Sequence, residues 1–126
     1  MIVASISVKK IRLMEEIVAT YLEKKASEFD VKDPRDGFII ALKSLLDARF
    51  HLDIMAEVHH KAGDEAGRAR LDAVSIILNN AIGIILLDID KVMDLRELVE
   101  KLDIQIPNLE EKLAEDDRDQ GDLLPY

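Results

Sequence analysis

Four side chains near the middle of the chain are of the kinds that bind metals or move protons: Asp53, Glu57, His60 and Asp64. Their spacings of four, three and four place all of them on one face of a helix with 3.6 residues per turn. Neutral imidazole and carboxylate oxygens together suit iron, manganese or zinc. The same face also admits a reading without metal, in which Arg49, Asp53 and Glu57 are solvated and linked by i,i+4 ion pairs.

Glu57-x-x-His60 resembles the pair with which ferritin-like di-iron bundles present a carboxylate and an imidazole to a metal centre. The resemblance covers four residues. It implies a site of Asp53, Glu57 and His60 completed across a subunit interface, with a second pair from a symmetry mate and Glu15 or Glu16 as a further ligand. Iron, manganese or zinc would be the cofactor of that reading; without it none is expected. His59 projects about 100° round from His60, among Ala41, Leu45, Ala48, Leu52 and Met55, and reads as a hydrogen-bonded histidine at the core edge. His51 takes no role.

Other chemistries lack their residues. The glycines at 37, 63, 67, 83 and 121 form no phosphate-binding or dinucleotide-binding pattern, and none of the five serines sits in a GxSxG elbow. The chain has no cysteine, which removes thiolate nucleophiles, thiolate zinc sites and disulfides, and fits a cytoplasmic location. The net charge of −9 has the wrong sign for neutralising phosphates, so direct nucleic-acid binding is not expected. With 126 residues, 48% hydrophobic and 34% charged, the chain is long and apolar enough for a packed core.

The elements that must position these groups are helices. Nothing at the start reads as a targeting signal, and the mature chain is expected to begin at Met1. Residues Ile2 to Lys9 alternate as an edge strand would, although a lead into a helix fits better. From Lys9 to Glu28, Ile11, Met14, Ile17, Val18, Tyr21 and Leu22 repeat at three- and four-residue intervals, the stripe of an amphipathic helix. Asp33-Pro34-Arg35-Asp36 then carries a cap, a proline suited to the first helical position and an acid placed for a capping box. The second helix, Pro34 to His60, is apolar on more than one face. Gly63-Asp64 stops it and caps a third helix, Glu65 to Leu87, so the two form a hairpin.

That third helix is apolar nearly all round, except for a seam of Arg68, Asp72, Ser75, Asn79 and Gly83. Its 17-residue run Ala73 to Ile89 spans about 25 Å as a helix, short of a bilayer's hydrocarbon core of about 30 Å. With Asn79 and Asn80 at mid-depth it reads as a buried central helix, and no membrane partner is expected. Asn80 points away from the polar seam, toward Ala73, Ile76, Ile77, Ile84 and Leu87. Its amide needs a partner: Arg49 or Asp47 within the chain, or Asn80 of a second copy, which would fix register.

Asp94 with Glu97 caps a fourth helix that ends near Asp103, and Asn108 with Glu111 opens a short fifth. Residues 105–126 hold seven acids against two bases, net −5. Such a tail suits contact with a basic protein, for example as the acidic subunit of a nucleoprotein complex, and Gly121 to Tyr126 reads as either a docking peptide or a frayed end. Lys9, Lys10 and Arg12 form a basic cluster without interleaved aromatics.

The expected fold is all-α: an antiparallel helical bundle of four main helices plus a short C-terminal helix, built on a central hairpin with the first helix along it. Residues 1–108 would form the bundle domain, and 109–126 the short helix and acidic tail. Both hairpin helices carry more apolar surface than one neighbour covers. The expected function is therefore a non-catalytic protein–protein interaction or assembly module that forms a homodimer or larger homo-oligomer, with the metal-binding bundle as the alternative.

Overall fold

The computed structural model describes residues 6–30 and 32–121, with side chains as far as Asp116. The described residues form five helices and no strand: α1 (Val8–Glu28), α2 (Pro34–Lys61), α3 (Glu65–Asp90), α4 (Leu95–Leu102) and α5 (Leu109–Gly121). The all-α fold with a central hairpin is therefore as expected. α4 is the shortest helix at 8 residues, and α5 has 13. The residues of the strand alternative before Ile6, and the docking-peptide reading after Gly121, lie outside the described residues.

The chain forms two compact units, residues 1–32 and 33–126, each described by itself. In the first, the Ser7 hydroxyl accepts from the Lys10 N–H at 3.2 Å and so starts α1. No residue of α1 is buried, and its apolar stripe of Ile11, Met14, Val18, Tyr21 and Leu22 is exposed along its whole length.

In the second unit, Asp33 caps α2 by accepting from the Arg35 N–H at 3.0 Å, with Pro34 in the first turn, where a missing N–H costs nothing. Asp36 does not close the capping box; its carboxylate takes Lys101 of α4 at 3.1 Å. Gly63, at φ 78°, supplies the left-handed residue that turns the chain from α2 into α3. Asp94 caps α4 through the Glu97 N–H at 2.8 Å. Asn108, by contrast, lies at φ 58° rather than in the extended conformation of a cap, and its carbonyl accepts from the Lys112 N–H at 3.1 Å.

α2 and α3 pack as an antiparallel hairpin, and α4 returns against α2. The core lies at the end of the hairpin away from the turn: Ile39, Leu42, Ile82, Ile89 and Met93 are buried, with Phe38, Leu45, Ile85, Leu98 and Leu102 packed against them. Near the turn the buried residues are small, namely Ala56, Gly67 and Ser75. The face of α3 that meets α2 thus runs through Gly67, Ser75, Ile82 and Ile89, with Leu71, Leu78 and Ile85 half-buried beside them.

This choice of face corrects the expected setting of Asn80. Counting 100° per residue, Asn80 lies opposite the line through Leu71, Ser75, Leu78, Ile82 and Ile89, and it is exposed. It makes no pair with Arg49 or Asp47; Arg49 instead stands 3.9 Å from Asp53. The hydroxyl and the glycine of the hairpin face allow close approach of the two helices, whereas the larger isoleucines of the Asn80 side are left outward.

Candidate functional site: the polar turn and the outer face of α3

Two places on the hairpin gather chemically distinctive residues. The first is the end beside the turn, where the last turn of α2 and the first of α3 bring both adjacent histidines against acids. Half-buried His59 places Nδ1 2.8 Å from Asp64 Oδ2, so a protonated Nδ1 donates to that carboxylate, as expected of a histidine at the core edge. The other oxygen of Asp64 accepts from the Gly67 N–H at 2.9 Å, which caps α3. A Cβ at Gly67 would stand 2.7 Å from His59 Nδ1 and closer still to Asp64 Oδ2, so a larger residue there would displace this pair of side chains.

Asp64 therefore carries the clearest electrostatic signature of the turn. The Gly67 N–H, and after it the hydrogen bond from His59, holds its carboxyl below the ordinary carboxylate value of 3.8. A carboxyl whose pKa is lowered by folding adds stability that is fully present above its unfolded value and is lost as pH falls through the folded one. We expect Asp64→Asn to lower the urea midpoint at pH 7, and the gap from the parent protein to narrow below about pH 4. A gap that stays constant from pH 7 to pH 2 would contradict this assignment.

The residues proposed from sequence as metal ligands each have another partner. His60 Nδ1 stands 2.7 Å from Glu65 Oε1 and 3.0 Å from Arg68 Nη1, and its single proton lets it serve one of them at a time. Glu57 stands 3.8 Å from Lys61, and Asp53 stands 3.9 Å from Arg49 and 3.5 Å from the Ser75 hydroxyl. Arg68 also reaches Glu65 at 3.7 Å and Asp72 at 3.5 Å, which puts a cation within the acidic face. Among the described residues no group of three or more His, Asp or Glu side chains converges to hold a metal ion. The turn is a chain of exposed ion pairs, each of small energetic weight.

His51 Nδ1 donates to the Asp47 carbonyl, 2.7 Å away, and its ring meets that of Phe50 edge-on. At the other end of the hairpin, a cleft of about 470 Å³ is lined by Asp90, Lys91, Met93, Asp94, Arg96 and Leu113, among others. Its Arg96 is engaged by Glu110 of α5 through two hydrogen bonds, of 2.9 and 2.5 Å.

The second place is the outer face of α3. Ile76, Ile77, Ile84 and Leu87 are 61, 67, 62 and 67% exposed, with Asn80 among them and Ala66, Ala69 and Ala73 extending the face toward the turn. By length and composition alone, α3 is apolar enough to cross a membrane, since the helix extends to Asp90, beyond the apolar run that sequence spacing delimits. α2, packed along it, carries Lys43, Asp47, Arg49, Asp53 and Glu57 through its middle, however, and charged groups at mid-bilayer cost about 2.5–3.5 kcal/mol each. Sequence spacing gives both hairpin helices more apolar surface than one neighbour covers but does not single out this side of α3 as the uncovered one.

In comparisons with known proteins, the chain matches no family model, no curated protein and no solved structure.

Proposed function

We propose that the chain is a non-catalytic assembly module that self-associates through helix faces its own fold leaves uncovered. The observation that carries the reading is the outer face of α3, where four large aliphatic side chains are each about two-thirds exposed on the side away from α2. Full burial of such a side chain is worth about 1.5–3 kcal/mol, so a face of four in two adjacent rows is a strong drive to association in water. α2 also exposes Phe50, Ile54 and Val58, spaced by four, and α1, in its own unit, exposes its apolar stripe. Among the described residues no serine or threonine hydroxyl lies within hydrogen-bond reach of the histidines of the turn, whose Nδ1 atoms face Asp64 and Glu65.

The test is the mass in solution. At micromolar concentration, light scattering coupled to size exclusion is expected to give a whole-number multiple of the 14.2 kDa chain. A single-chain mass across that range would overturn the proposal.

A further inference from the structure

We infer that the occupant of the outer α3 face is the same face of a second copy, aligned parallel and in register, with Asn80 opposite Asn80. The inference rests on the self-association proposed above and names the surface and geometry that achieve it.

Ala66, Ala69, Ala73, Ile76, Asn80, Gly83 and Leu87 follow one another at intervals of three and four in strict alternation, and all seven are exposed. That is a seven-residue repeat carried over about 32 Å of helix, the pattern by which two helices wind together. Ala66, Ala73, Asn80 and Leu87 take its first position, and Ala69, Ile76 and Gly83 its fourth. Alanines in one half and glycine in the other keep the line low, and a Cβ at Gly83 would meet nothing within 4 Å, so the space before it is open.

Chemistry then selects the partner. An amide on the midline of an apolar face must be hydrogen-bonded once that face is covered. An asparagine amide both donates and accepts, so a second asparagine satisfies it across a twofold axis. A single polar residue at the first heptad position is also a known means of fixing register. The flanking charges agree: Glu65 and Arg70 border the line on opposite sides, five residues apart, the separation at which charges face each other between parallel helices. Each chain thus offers both halves of two equivalent Glu65–Arg70 contacts, in which exposed Glu65 would exchange its local contacts with His60 and Arg68 for Arg70 of the second copy. Among the described residues Arg70 stands within 4 Å of no carboxylate of its own chain, and acts on Asp64 only from a greater distance.

The chain has no native cysteine, so single cysteines report the geometry directly. Ala73→Cys and Leu87→Cys, each oxidised alone at micromolar concentration, are expected to form covalent dimers, since like first positions of a parallel pair come within disulfide reach. Asp47→Cys, exposed on α2, is the control and is expected to stay monomeric on a non-reducing gel. An antiparallel pair centred on Asn80 would instead join the Ala73→Cys chain to the Leu87→Cys chain only in a mixture of the two, and would overturn the inference. A multimeric mass with no cross-link at either position would overturn it too, while leaving self-association in place. A single-chain mass for the parent protein would remove both, as would cross-linking seen only with phosphatidylcholine vesicles, which would make a bilayer the occupant. Asn80→Val is further expected to raise the mass above that of the parent by loss of register, and an unchanged mass would deny Asn80 its part.

Discussion

Ile77→Lys combined with Ile84→Lys is expected to weaken self-association by about 10³-fold or more, leaving a helical single chain at concentrations where the parent protein is multimeric. Both side chains are about two-thirds exposed on the outer face of α3, so each stands to lose about 1–2 kcal/mol of burial, counted twice in a symmetric pair. Four lysine ammonium groups would also gather at one contact, and each keeps its hydration only if the contact opens. Neither isoleucine belongs to the core cluster, and lysine is the better helix former, so loss of helix would not account for the result. Light scattering and far-ultraviolet circular dichroism on the same samples check both parts. A mass unchanged from the parent would show that the chains meet elsewhere.

Leu42→Ala is expected to cost about 2–5 kcal/mol of folding stability, the range for emptying a leucine site in a packed interior. Leu42 and Ile89 are each 1% exposed, the most completely enclosed large side chains among the described residues, and both lie in the cluster with Ile39, Ile82 and Met93. Against a total of about 5–15 kcal/mol for a domain, that loss would unfold a large fraction of the protein at moderate urea. Ile89→Ala should have a similar effect, and the double substitution less than the sum, since both empty one cluster. Urea titrations should be made at fixed chain concentration, because an associating protein gains stability by mass action. A shift below about 0.5 kcal/mol for Leu42→Ala would place the core elsewhere.

What the sequence disclosed was local. Asp33 with Pro34, Gly63 with Asp64, and Asp94 act within a few residues of themselves, and each starts or stops a helix where its type and position indicate. Which side of α3 meets α2 was not legible, since a helix apolar nearly all round offers no single stripe for periodicity to identify. The side that packs holds Gly67 and Ser75, small residues that permit close approach, beside Leu71, Leu78, Ile82 and Ile89, and the opposite side, with Ile76, Ile77, Ile84 and Leu87, is nearly as apolar. Nor did the spacing of Asp53, Glu57 and His60 foretell Arg68, which arrives from the facing helix. The ion pair of Asp36 with Lys101, 65 residues apart, has no local signal at all.

The gradation along the hairpin from small residues at the turn to large ones at the far end has a mechanical meaning. The two helices act as a clasp whose hinge is the covalent link at Gly63 and whose catch is the knot of Leu42, Ile89 and Met93, closed over by Leu98 and Leu102 of α4. Severing the hinge would leave the catch engaged, whereas removing the chain beyond Asp94 would strip away its cover and free both arms at the end where they are held most firmly.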